Sequence, residues 1–96
     1  MPWNGTNLSY TRAAIESGAP ASSGVYAIWK QNKWIYFGES KNIKDRLLQH
    51  LGGDNPCITR EAPTACGYEL VAEGQRVARQ DALIREFQTS CNKKLG

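Results

Sequence analysis

Ninety-six residues, 41% of them apolar, can bury one modest core, so a single domain over residues 1–96 is expected, near the lower size limit for independent folding. No run approaches the ~20 apolar residues of a membrane span, and the opening MPWNGTNLSYTR has neither the basic start nor the apolar stretch of a secretory leader, so a cytoplasmic protein is expected. The net charge is only +3, but Lys30, Lys33, Lys41, Lys44, Arg46 and Arg60 outnumber Glu39, Asp45 and Asp54 in one segment while the rest of the chain balances.

A local basic surface suits a phosphate backbone, although on charge alone a solvated face is the plainer reading. Residues 9–17, SYTRAAIES, read as a short helix stopped by Gly18, with Pro20 beyond. Residues 24–30 and 33–39 read as two strands, rich in Val, Ile, Tyr, Trp and Phe and joined by a tight turn at Gln31-Asn32. Residues 42–51, NIKDRLLQHL, read as a helix that Asn42 caps, with Asp45 in the capping-box position and Gly52-Gly53 as its end. A loop with Pro56 and Pro63 follows. Residues 66–72 read as a third strand and residues 75–88 as a second long helix. The order β-β-α-β-α predicts an α+β fold, a small, mostly antiparallel three-stranded sheet flanked by helices.

Cys57, Cys66 and Cys91 leave one cysteine over from any pairing and match no CxxC metal spacing, so reduced thiols are expected. A zinc site built from them and His50 is the minor alternative.

Polar residues on the two long helices carry the functional signal. At about 100° per residue, Ile43, Leu47, Leu48 and Leu51 form the apolar arc of the first. Arg46 and His50 lie one turn apart on its flank beside Ile43, where the helix meets the sheet. A surface arginine near a capping histidine is the plainer account of that pair. In the second helix Val77, Leu83, Ile84 and Phe87 form the arc and Gln80 falls at its centre, while Arg79 and Glu86 point away and Asp81 lies at the edge. A core-facing amide costs free energy unless it is hydrogen-bonded, so Gln80 is either structural or aimed into a site on the sheet face. Tyr26 and Tyr36, on neighbouring strands, add two phenols. Phenols, a guanidinium, an imidazole and a metal-facing side chain suit phosphoryl transfer: water is oriented or deprotonated, charge on phosphate is stabilised, and a divalent ion bridges the oxygens.

The motif order sharpens this. GVY at 24–26 and YFG at 36–38 resemble the two halves of the GIY-YIG signature, with Tyr26 and Tyr36 ten residues apart. ESKNIKDRLLQH, 39–50, is similar to the continuation of that family, Arg46 matching its arginine and His50 a frequent histidine. LIREFQTSCN, 83–92, is similar to its closing motif, with Asn92 matching the asparagine. The resemblance covers residues 24–92. It implies a β-β-α-β-α nuclease fold that hydrolyses DNA phosphodiester bonds with one Mg²⁺ or Mn²⁺. Tyr26 or Tyr36 would help to activate water, Arg46 would hold the scissile phosphate, and Gly24 and Gly38 would permit close backbone approach. Trp29, Trp34 and Phe37 are expected to be packing residues.

One position departs from the pattern. The family's metal-ligating glutamate, three residues before the Leu-Ile pair, is Gln80 here. An amide oxygen can ligate Mg²⁺, but hard divalent cations favour carboxylates, so weaker binding is expected, with Glu39 and Asp81 as nearby carboxylates that could compensate. The family's proline near the closing asparagine is also absent, Thr89 or Ser90 standing there. Four readings stay open: a working nuclease with a variant metal site, an impaired domain that binds branched or single-stranded nucleic acid, an engineered trap at Gln80, and a protein-interaction domain. With no room for a separate recognition domain, site-specific cleavage would need a homodimer or a partner in a larger complex.

Overall fold

β-Branched and aromatic side chains between Gly24 and Ser40 favour extended backbone, and the fold is assembled around that hairpin. The computed structural model describes Trp3 and residues 5–92. Its elements are β1 (Leu8–Ser9), α1 (Arg12–Gly18), β2 (Gly24–Lys30), β3 (Lys33–Ser40), α2 (Ile43–Leu51), α3 (Pro56–Glu61), β4 (Ala65–Leu70), a 3₁₀ turn (Glu73–Gln75) and α4 (Arg76–Glu86). The sheet is antiparallel, in the order β1-β4-β2-β3.

The sheet therefore has four strands, not the three expected from sequence. The extra strand, β1, is Leu8 and Ser9 paired with Cys66 and Ala65, too short to leave a periodic signature. The expected loop around Pro56 also holds a helix, α3. Asn55 caps it by accepting from the Cys57 and Ile58 N–H groups, and a proline in the first turn fits because its missing N–H is not needed there.

A bulge sorts the side chains of the hairpin. Ile28 pairs with Tyr36 but Trp29 pairs with Trp34, which leaves Ile35 extra. Trp34 and Phe37 consequently share one face although strict alternation would part them. That face buries Val25, Ala27, Phe37 and Leu83, with Trp3, Trp29, Trp34, Ile84 and Phe87 packed around them. The other face buries Ile15, Tyr26, Ile28, Ile35, Ile43, Leu47 and Ile58. Helices α1, α2 and α3 thus cover the Tyr26 face and α4 covers the Phe37 face, each fully buried large side chain contributing about 1.5–3 kcal/mol.

Two expectations for α4 fail. Val77, assigned to its apolar stripe, is 57% exposed, and the stripe narrows to Leu83, Ile84 and Phe87. Arg79, expected to point away, turns to β4 and makes a two-pronged bond to Glu69 at 2.9 Å for each prong.

The cysteines differ too. Cys57, in the first turn of α3, is disulfide-bonded to Cys91, with the Cα atoms 5.6 Å apart. Spacing along the chain carries no sign of this, because the fold itself brings the two positions together. Cys66 is free and buried, and burial pushes its thiol up to about 12. Among the described residues no helix is long and apolar enough to cross a membrane.

Candidate functional site

Tyr26 on β2 and Tyr36 on β3 stack with ring centroids 6.1 Å apart. Gly38 is the direct cross-strand partner of Tyr26, and a Cβ on it would collide with the Tyr26 ring and hydroxyl. At Gly24 a Cβ would meet the Glu69 carbonyl and the Ile43 side chain, so the glycine lets β2 lie close to β4 and α2.

Helix α2 delivers the next two groups. The Asn42 side chain accepts from the Asp45 N–H at 3.0 Å, which starts the helix in the phase that turns Ile43, Leu47 and His50 inward. His50 is 3% exposed. Its Nε2 lies 2.7 Å from the Tyr26 hydroxyl oxygen, and its ring packs against Tyr36 at 5.2 Å between centroids. The other ring nitrogen, Nδ1, lies 2.9 Å from Asp54 Oδ1. Arg46, one turn earlier and far more exposed, donates from Nη1 to Gln49 Oε1 at 2.6 Å and to Asp54 Oδ2 at 3.3 Å. Tyr26, Tyr36, His50 and Arg46 are thus gathered on one face. Asp54 belongs with them but was not singled out from sequence; the signal was a carboxylate four residues beyond a helix-terminal histidine.

The environment sets the protonation states. Burial, reinforced by the neighbouring Tyr36, pushes the Tyr26 phenol far above its ordinary value. Burial lowers the His50 pKa, and Asp54 opposes that only in part. The imidazole is therefore neutral near pH 7, with one nitrogen donating and the other accepting.

The remaining site positions stand on other elements. Gln80 is half-buried on α4, and its Nε2 donates to Asp81 Oδ1 at 3.4 Å. Glu39 is held by Arg76 at 2.8 Å. Among the described residues no group of three or more His, Cys, Asp or Glu side chains is placed to hold a metal ion. Asn92 fastens the signature from outside: its Oδ1 accepts from the Phe37 N–H at 2.8 Å and its Nδ2 donates to the Phe37 carbonyl at 2.8 Å. Thr89, near the family's proline position, donates to the same Oδ1 at 2.8 Å.

Comparison with known proteins identifies the family and the fold. The family model described as the GIY-YIG catalytic domain matches residues 22–91. UvrABC system protein C of Aquifex aeolicus is 58% identical over 33 residues, which is 34% of this chain and 6% of that protein. Its counterpart from Dictyoglomus thermophilum is 29% identical over 80 residues, 79% of this chain and 13% of that protein. The chain thus spans only a small part of the curated relatives it matches. Among solved structures, the N-terminal endonuclease domain of UvrC from Thermotoga maritima, bound to magnesium as its catalytic divalent cation, superposes with a TM-score of 0.72 at 24% identity. The match covers 82% of this chain and 96% of that one. A point mutant of the same domain gives a TM-score of 0.73 at 22% identity, covering 83% and 96%.

Proposed function

Since the chain belongs to the GIY-YIG catalytic-domain family, we propose that it is a divalent-metal-dependent endonuclease domain acting on DNA phosphodiester bonds. The observation that carries this reading is the buried Tyr26–His50 hydrogen bond of 2.7 Å beside the stacked Tyr36, with Arg46 one turn away. Tyr36, half-buried where Tyr26 is 1% exposed, is the phenol able to meet the attacking water. Tyr26 and His50 support it from behind. Arg46 is exposed enough to turn from Asp54 to a phosphate oxygen, where a guanidinium stabilises developing charge.

The metal donors are sparse. Gln80 offers a neutral amide oxygen and Asp81, its hydrogen-bond partner, a carboxylate; Glu39 is already neutralised by Arg76. This set fits a largely hydrated Mg²⁺ or Mn²⁺ held weakly by Gln80 and Asp81. When bound, the ion would neutralise charge on the scissile phosphate. Gln80→Glu should tighten Mn²⁺ binding about tenfold or more, read directly by titration of the metal as well as by cleavage.

The deciding experiment measures Mg²⁺- and Mn²⁺-dependent cleavage of supercoiled plasmid and branched DNA. Cleavage that disappears in Tyr36→Phe and Arg46→Ala supports the nuclease. Gln80 itself favours a second reading, a domain that binds branched or single-stranded DNA without cutting it. Activity only in Gln80→Glu, with salt-sensitive DNA binding by the parent, would select that one.

A further inference from the structure

Building on the nuclease reading, we propose that Asp54, which lies outside the signature blocks, sets the direction of the hydrogen-bond chain ending at Tyr26 and so acts as a positioning residue for the site. An ionised carboxylate can only accept hydrogen bonds. With Asp54 Oδ1 at 2.9 Å, the Nδ1 nitrogen of His50 must carry the hydrogen, and in the neutral ring Nε2 is left bare. The Tyr26 hydroxyl, 2.7 Å from Nε2, must then be the donor. A phenol has one hydrogen. Once that hydrogen is committed to His50, Tyr26 presents only lone pairs to Tyr36 and to any water in the site.

The opposite tautomer reverses the chain. An Nε2–H would donate to Tyr26 and turn the phenol hydrogen outward. That polarity suits holding an anion; it does not suit drawing a proton from water. Asp54 therefore determines whether the buried tyrosine faces the site as an acceptor or as a donor. Its placement is built into the backbone. Gly53 adopts the left-handed conformation (φ 97°) and its N–H donates to the His50 carbonyl at 3.0 Å, which bends the chain at the end of α2 and brings Asp54 back beneath the imidazole. The second carboxylate oxygen takes Arg46 at 3.3 Å, so one side chain orients both functional groups of α2.

His50 is the only histidine in the chain, so ¹⁵N NMR of the labelled protein reads its tautomer without assignment. The expected result at neutral pH is hydrogen on Nδ1 and a bare Nε2, with that preference lost in Asp54→Ala. Cleavage by Asp54→Ala should fall roughly 10²-fold, measured in the Gln80→Glu background if the parent rate is too low. In a His50→Phe background the same change should cost clearly less than in the parent, because the part transmitted through the imidazole is already gone and only the hold on Arg46 remains to be lost. An Nε2–H tautomer in the parent overturns the proposal, as does an unchanged tautomer or unchanged cleavage in Asp54→Ala. The expected tautomer together with no cleavage, even by Gln80→Glu, supports the hydrogen-bond direction and defeats the nuclease reading instead.

Discussion

On one face of the sheet Trp3, Trp29, Trp34, Phe37 and Phe87 meet ring against ring, with centroids 5.0–6.4 Å apart. On the other, Tyr26, Tyr36 and His50 meet at 5.2–6.1 Å. The spacing is the same and the consequence is not. The first cluster ends in carbon and indole and packs around buried Leu83 of α4, as large apolar rings do in a core. The second ends in a hydroxyl, an imidazole and a carboxylate joined by short hydrogen bonds. Aromatic density does not mark a site; what the rings are bonded to does.

Mutations should separate the faces. The largest effect is expected for Phe37→Ala, which should cost about 3–5 kcal/mol through lost burial and a cavity, measured by urea unfolding. Reducing the Cys57–Cys91 bond, which joins positions 34 apart in sequence, should cost roughly 3–4 kcal/mol and fall mainly on the Tyr26 face, since it ties α3 to the segment after α4 and both cysteines pack in that cluster. Tyr26→Phe should cost only about 1–3 kcal/mol, by leaving buried Nε2 without a partner, yet it should damage cleavage far more than its stability loss explains. If Tyr26→Phe unfolded the chain as readily as Phe37→Ala, the distinction between the faces would collapse.

The smallest effect is one of pH. His50 has its pKa lowered in the folded chain, so between that value and the unfolded value of about 6.5 the unfolded state binds the extra proton. The stability contributed by the neutral imidazole is complete above about pH 6.5 and is lost as pH falls through that window. Thermal melts from pH 7.5 to 5 should show this slope in the parent and a shallower one in His50→Phe. Val25, Ala27, Phe37 and Leu83, buried on the other face, carry no ionisable side chain.

The sequence made some of this legible and concealed the rest for physical reasons. The hairpin and α2 follow from β-branched periodicity, a capping asparagine and paired glycines, all of which act within a few residues. The Arg46–His50 pairing follows from helix geometry alone. The two-residue strand β1 and the Cys57–Cys91 bond depend on tertiary approach, which no local pattern records. Val77 and Arg79 were misplaced because a helical wheel assumes that the whole helix is covered, whereas α4 packs mainly through its second half. Asp54 was read as one charge among several because it follows two glycines, and only the left-handed turn at Gly53 reveals where it points.

The bracket that Asn92 places on Phe37 has a consequence for the sheet as a whole. β3 is an outer strand, and an outer strand normally offers a row of free backbone groups to any extended chain nearby. Here the Ser90 and Cys91 N–H groups donate to the Trp34 and Ile35 carbonyls at 3.3 and 2.9 Å, and one carboxamide then supplies both the acceptor and the donor that a neighbouring strand would have brought to Phe37. A single side chain finishes the border that two backbone amides begin. The segment that closes the signature also keeps this edge strand from serving as a template for aggregation.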